Sequence, residues 1–191
     1  MSSMEMLDLE EKLSGIKRWK LGIKTAIHKP LLILYVLNQY KNGHQRLFNF
    51  QYEVYDQLKF LLEIYGQKIK SQRPEYPFWR LQKDGFWEVK LQGNIVLTSS
   101  GDAPKKQLFE TKAEGGFKTS FYDKLINNKP AIDLLSISLI KDYFPHSLHN
   151  SLIQYFELNL TSISTNKACE NAPVPQYYSE IIEGLCSEFE V

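Results

Sequence analysis

Two short strings in this chain hold residues able to engage a charged ligand. In Ile27-His28-Lys29-Pro30-Leu31-Leu32-Ile33-Leu34 a His and a Lys directly precede an apolar run. At the start of a helix the first backbone N–H groups lack intrahelical partners, so a basic pair beside them can hold a phosphate group. The plainer role for His28 is to cap that helix. The second string, Pro74-Glu75-Tyr76-Pro77-Phe78-Trp79-Arg80-Leu81, surrounds one Arg with aromatics and prolines. Alone, such a string is more often core packing than a binding pocket. His146 and His149, three apart in Pro-His-Ser-Leu-His, could share a helix face and bind a metal, but no third ligand is identifiable. Polar residues at a helix start explain them better. Glu75 and Glu88 as paired carboxylates are explained equally well by salt bridges flanking a hairpin. Cys169 and Cys186 lie seventeen residues apart without a second Cys or a His at zinc-ligand spacing, and read as free thiols.

Motifs for catalysis are lacking. The chain has no Gly-rich phosphate loop ending in Lys-Ser/Thr, no Gly-x-Ser-x-Gly elbow and no His-Glu-x-x-His. A metal nuclease of the HNH type would need a compact His/Asn/His set, which is also missing. The expectation is a protein without enzymatic activity, bound metal or cofactor.

Charge points to a polyanionic partner. Residues 1–125 hold 20 Lys/Arg against 14 Asp/Glu, whereas residues 126–191 hold 3 against 8. Lys17, Arg18, Lys20, Lys24 and Lys29 fall within thirteen residues that contain no acid. Such a local field suits nucleic acid, although a merely solvated basic face would look the same. The longest apolar run, Leu31 to Leu37, is too short to cross a bilayer, and the N-terminus is acidic and polar where a secretory signal would be basic and apolar. A soluble, cytoplasmic protein with no membrane partner is expected.

The elements that must position these residues follow from periodicity and breakers. A helix is expected over residues 5–15, another from Pro30 to the Asn42-Gly43 break, and a third over Gln51–Tyr65 with Val54, Leu58, Leu61, Leu62 and Tyr65 as its apolar stripe. Asp84-Gly85, flanked by aromatics, predicts a two-stranded ribbon over Phe78–Val89, with Ile95–Thr98 as a third strand. Helices near residues 104–113, 118–127, 130–143 and 146–157 follow, punctuated by Gly115-Gly116, Pro130 and Pro145. From Asn159 the chain turns polar before a terminal helix in Gln176–Phe189. The fold class is mainly α with a small antiparallel β-ribbon (α+β), an order of elements compatible with a winged-helix-like arrangement. Residues 1–157 form the domain; residues 158–191 form a linker and an acidic C-terminal helix.

Five strings in order extend this reading: His-Lys-Pro-Leu-Leu from His28, Glu-Tyr-Pro-Phe-Trp-Arg-Leu from Glu75, Asp-Gly-x-Trp-Glu-Val from Asp84, Gly115-Gly116-Phe117, and Phe-Pro-His-Ser-Leu-His from Phe144. Together they resemble the sulfur-binding domain of phosphorothioate-dependent, McrA-like restriction endonucleases of the HNH type, over roughly residues 15–157. In that family a Tyr-Pro pair at the start of the ribbon forms an apolar cavity for the sulfur of the modified phosphate. The resemblance gives this role to Tyr76 and Pro77, with Arg80 of the same string in the sulfur-binding set. It matches His28 and Lys29 to the family's His and following basic residue, which contact the DNA backbone beside the modified link. A family cation closes the pocket, and Pro104-Lys105-Lys106 is the nearest candidate here. Arg18, Lys20, Lys24, His28, Lys29, Lys105 and Lys106 make up the expected DNA-contacting set.

The resemblance implies a module that reads phosphorothioate in double-stranded DNA in a restriction or defence context. Where the restriction enzymes continue into a nuclease, residues 158–191 supply Thr, Ser, Asn, two isolated Cys and an acidic end, so cutting would fall to a nuclease domain or subunit elsewhere. Three other readings stay open: a winged-helix regulator of unmodified DNA, a reader of methylated bases, and a protein-interaction scaffold whose basic patch meets an acidic partner.

Overall fold

The computed structural model describes residues 20–21, 24–25, 27–66 and 71–159. The helix expected over residues 5–15 and the terminal helix in Gln176–Phe189 lie outside the described residues, as do both cysteines. The elements in chain order are β1 (Lys20–Leu21), β2 (Lys24–Thr25), α1 (His28–Lys41), β3 (Phe48–Asn49), α2 (Tyr55–Tyr65), α3 (Glu75–Arg80), β4 (Trp87–Lys90), α4 (Lys105–Glu110), β5 (Glu114–Phe117), α5 (Thr119–Leu125), α6 (Lys129–Tyr143) and α7 (His149–Tyr155).

Helix α1 is the centre of the core. Its apolar residues point all round, and Leu31, Leu32, Ile33, Leu34, Val36, Leu37 and Tyr40 are all buried. It begins two residues before the proline that marks its start in sequence, so His28 and Lys29 lie inside the first turn rather than ahead of it. Pro30 is tolerated at the third position because its missing N–H belongs to the set without intrahelical acceptors. Gly43, at φ +86°, turns the chain away after the last turn. Helix α6 packs along α1. The Asn128 side chain caps its start by accepting from the Ala131 N–H, and Lys41 Nζ reaches the buried Asp133 carboxylate at 2.6 Å.

The expected helix over Gln51–Tyr65 is present in two parts. Residues Phe50–Val54 form a π-turn, opened by Asn49 Oδ1 accepting from the Gln51 and Tyr52 N–H groups, while Glu53 Oε2 accepts from Asn49 N. This reciprocal cap resembles a capping box. Helix α2 then buries Leu58, Leu61, Leu62 and Tyr65 at helical spacing.

The β-structure differs from the expected ribbon. Phe78 stands on helix α3, residues Leu81–Asp84 form a 3-10 turn, and Gly85, at φ +88°, ends that turn in the left-handed region. Asp84-Gly85 therefore closes a helical segment instead of a hairpin, since a positive-φ glycine serves either purpose. Only Trp87–Lys90 is a strand, and its partner is β5. The antiparallel order is β3-β5-β4, with Val89 opposite Gly115 and Phe48 also opposite Gly115. Residues 95–98 form no strand. The hairpin that would act as a wing is thus replaced by three strands from distant parts of the chain.

Gly115-Gly116, a breaker by its sequence signature, forms the middle of the central strand. A Cβ on Gly115 would stand 2.6 Å from the Phe78 ring, and one on Gly116 would stand 2.1 Å from the Arg46 carbonyl oxygen. Close approach on both faces excludes a side chain at either position. Phe78, T-shaped against Trp87 with centroids 5.8 Å apart, joins α3 to this sheet and so sets the orientation of α3.

Candidate nucleic-acid interface

Tyr76 and Arg80 occupy positions i and i+4 of α3 and therefore share a face. Tyr76 is half-buried, Pro77 is buried and Arg80 is exposed. The Arg80 guanidinium lies over the Tyr76 ring, 4.6 Å from its centroid, a cation–π arrangement. Asp102 holds it there: Nε and Nη2 donate to the two carboxylate oxygens, each at 2.6 Å. This fork uses two of the five N–H donors that a guanidinium carries. The hydrogen bonds from Arg80 keep the carboxyl of Asp102 below the ordinary Asp range, and Asp102 in turn raises Arg80 above its ordinary value.

The start of α1 borders the same place. Burial first, and the Arg80 charge second, lower His28 below its ordinary value of 6.5. His28 is thus neutral at pH 7, in contrast to the cation expected from sequence. Lys29 donates to Asp84, whose side chain is 2% exposed, at the end of the 3-10 turn that follows α3. The basic pair expected to face a phosphate is thus one neutral imidazole and one ammonium already joined to an internal acid.

Lys105 and Lys106 make their contacts apart from this cluster. Lys105 Nζ lies 5.0 Å from the Tyr55 ring centroid and 5.8 Å from that of Phe109, so its contacts are on the α2 side and not at Tyr76. Lys106 is 85% exposed and pairs with Glu110 at 3.7 Å within its own helix, a surface pair of little strength. The cation beside Tyr76 is Arg80. Lys20 and Lys24 stand on the paired strands β1 and β2, with Lys20 opposite Thr25 and Leu21 opposite Lys24. Arg18 lies outside the described residues. Sequence reasoning missed Asp84 and Asp102, whose partners are 55 and 22 residues away; nothing in local spacing marks either.

His149, Glu75 and Glu88 make contacts within the fold. His149 begins α7, and its Nε2 is 2.9 Å from the Phe144 carbonyl oxygen. Glu75 faces Arg73 and Glu88 faces Arg46, as salt bridges, though not about a hairpin. Among the described residues no group of three His, Cys, Asp or Glu could hold a metal ion, and no helix is long and apolar enough to cross a membrane.

A family model described as "ScoMcrA-like, DNA sulfur-binding domain" matches residues 6–161. The chain belongs to this family of DNA sulfur-binding domains. Its fold is similar to that of the sulfur-binding domain of ScoMcrA solved in complex with phosphorothioated DNA, at 26% identity and a TM-score of 0.70, covering 78% of this chain and 94% of that one. The fold is also shared with the sulfur-binding domain of SprMcrA complexed with phosphorothioated DNA, at 21% identity and a TM-score of 0.68 over 80% and 94% of the two chains. It recurs within the Type IV phosphorothioation-dependent restriction endonuclease ScoMcrA, at 23% identity and a TM-score of 0.65, where the match covers 77% of this chain and 32% of the enzyme. None of the curated proteins compared with the chain matches it.

Proposed function

We propose that this sulfur-binding domain binds double-stranded DNA at a phosphorothioate link, seating the sulfur against Tyr76 and Pro77 with Arg80 as the neighbouring cation. The carrying observation is the Arg80 guanidinium fixed over the Tyr76 ring by the buried Asp102. Sulfur in place of a non-bridging oxygen keeps the unit charge but makes that atom larger, softer and a poorer acceptor. An aromatic and proline surface tolerates such an atom and leaves an oxygen there dehydrated and unpaired. Arg80, with N–H donors left over from Asp102, supplies the charge that the link as a whole requires. The selection works against oxygen as much as for sulfur.

Arg18, Lys20, Lys24, Lys105 and Lys106 act on more distant phosphates, and His28 on the phosphate next to the mark. Residues 1–157 carry this binding, with 158–191 as linker and appendage. The chain binds without cutting, in the cytoplasm with its DNA, and cleavage comes from a fused or partner nuclease.

The test is binding to matched duplexes: unmodified, base-methylated, Rp phosphorothioate and Sp phosphorothioate. The Rp duplex should bind about 10- to 200-fold better than the unmodified one, the range of single-group discrimination in other pockets, and the Sp duplex no better than unmodified. Tyr76→Ala and Pro77→Asp should erase the preference while weak, salt-sensitive binding persists. Equal loss of all DNA binding together with a lowered Tm would make these two residues core elements and nothing more.

A further inference from the structure

Helix α2 leaves two large apolar side chains outside the core. Phe60 and Ile64, 48% and 51% exposed, stand at i and i+4 and share one face, while Leu61 and Leu62 between them are buried. Tyr155 of α7 is 41% exposed and lies at the same end of α2: its ring centroid is 6.0 Å from that of Tyr65, whose hydroxyl is 3.2 Å from Ser151 Oγ. Apolar side chains displayed in this way commonly mark a contact surface. Lys59 stands beside Phe60 and meets Glu63 at 3.9 Å, a loose pair that puts a cation at the edge of this face.

The chain leaves the described fold close to this surface. Glu157, at φ +48°, closes α7: its N–H donates to the Gln154 carbonyl oxygen at 3.1 Å, and that of Leu158 to the Ile153 carbonyl oxygen at 3.0 Å. These are the paired bonds of a Schellman motif. Leu158 is buried, and Lys41 Nζ donates to the Glu157 carbonyl oxygen at 2.8 Å, so the point of exit is fixed against α1. Farther along the sequence, Tyr178, Ile181, Ile182, Leu185 and Phe189 recur at i, i+3, i+4, i+7 and i+11, the spacing of one helical face. Glu180, Glu183 and Glu190 fall on the opposite side, and residues 176–191 contain no Lys or Arg.

We propose that residues 178–189 pack as a helix on the exposed face of α2, with Ile181, Ile182 and Leu185 against Phe60 and Ile64. Residues 160–177 join the two, and a stretch of that length reaches up to about 60 Å when extended. The eleven residues of α2 span about 16 Å, so the whole face is within range. Tethered in this way, the segment meets α2 at an effective concentration on the order of millimolar, which favours it over a second copy of the chain in dilute solution. Docking removes apolar surface of both partners from water and leaves Glu180, Glu183 and Glu190 solvated, so no carboxylate is buried. Lys59 offers a counter-charge to an acid at the edge of the incoming helix.

The experiment uses the full chain without DNA. Cys186 follows Ile182 by four residues and so borders the apolar face of the segment. In a Cys169→Ser background, Phe60→Cys or Ile64→Cys should form an intramolecular disulfide with Cys186 on mild oxidation, whereas Lys106→Cys, at an 85% exposed side chain on another helix, should form none on the same timescale. Separately, the pair Phe60→Ser with Ile64→Ser and the pair Ile182→Ser with Leu185→Ser should each lower the Tm by about 2–4 °C or more. All four changes together should lower it no further than the larger pair alone, because both pairs remove the same contact. An unchanged Tm in either pair, additive losses, or oxidation at position 106 equal to that at 60 and 64 overturns the inference. A disulfide found only between two chains overturns it too, and assigns the face to a second copy.

Discussion

His28 and Lys29 are adjacent in sequence and opposite in electrostatic state. Burial and Arg80 hold His28 neutral at pH 7. An approaching phosphate favours the imidazolium, so binding takes up a proton wherever the pH lies between the lowered free value and the higher bound value. Affinity should therefore rise as the pH falls through the ordinary His range, and His28→Gln should flatten that slope. A slope identical in wild type and His28→Gln, followed by fluorescence anisotropy, would remove His28 from the contact. In the free protein the sign is reversed. The neutral form is the one favoured by folding, so the contribution of His28 to stability is fully present above pH 6.5 and is lost as the pH falls through its lowered folded value. Lys29 acts within the fold, as counter-charge to the buried Asp84. Lys29→Ala should cost about 1.5–3 kcal/mol of stability, the range for hydrogen bonds to charged groups. In a chemical denaturation series Asp84→Asn should restore part of that loss in the Lys29→Ala background; full additivity of the two changes would show that they do not interact. A phosphate contact by Lys29 would weaken modified and unmodified DNA by similar factors in Lys29→Ala, and with Asp84 as its partner any such effect must be corrected for the loss of fold.

Among the elements, the sheet positions the binding helix. Phe78 lies two residues beyond Tyr76, and its ring edge fills the space in which a side chain at Gly115 would stand. Gly115→Ala should push Phe78 outward, shift α3 and cost about 1–3 kcal/mol, as overpacked cores do. The sulfur preference should drop with it, because Tyr76 moves with α3. By contrast Gly43→Ala, strained at φ +86° but with open space around its Cβ, should lower only the Tm. Preserved sulfur discrimination in Gly115→Ala would mean that α3 is positioned by α1 alone. The Asn49 cap is a second local device. Asn49→Ala removes the acceptor for two N–H groups of the π-turn and should cost about 1 kcal/mol, readable as a Tm decrease at constant DNA preference.

Over the whole molecule, the described cluster has little free positive charge, since Asp84 offsets Lys29, Asp102 offsets Arg80, and His28 is neutral. Long-range attraction must then come from the acid-free stretch of residues 17–29 and from exposed cations such as Lys106. Affinity for any duplex should fall by about a decade or more over a few-fold rise in salt. Replacing Arg18, Lys20 and Lys24 with Ala together should reduce the slope of log affinity against log salt with no change in the sulfur-to-oxygen ratio. A ratio that collapses in this triple variant would place the basic segment at the mark itself. The isolated chain should leave phosphorothioate DNA uncut with Mg²⁺ or Mn²⁺, and reproducible nicking abolished by a point substitution would refute this.

Features that depend on near neighbours were legible in the sequence alone. Helical periodicity and breakers located α1, α2 and the helices from α4 to α7, and charge asymmetry with five ordered strings indicated DNA and the sulfur-binding family. The tertiary structure decided what depends on distant neighbours. Asp84-Gly85 has the same signature whether it closes a hairpin or ends a 3-10 turn, and the choice fell to β5, whose Gly116 and Gly115 stand opposite Glu88 and Val89. With Trp87–Lys90 paired there, Phe78–Asp84 has no strand to join and stays helical, which brings Tyr76 and Arg80 onto one face. Gly115 and Gly116 are glycines because a ring and a carbonyl from elsewhere in the chain occupy the space of their side chains. The pairing of Lys29 with Asp84 and of Arg80 with Asp102 likewise joins residues 55 and 22 positions apart. Ion pairing and close packing depend on distance in space, and a buried acid takes the cation that the fold brings to it, so the pairing of Lys29 with Asp84 was not legible in the sequence.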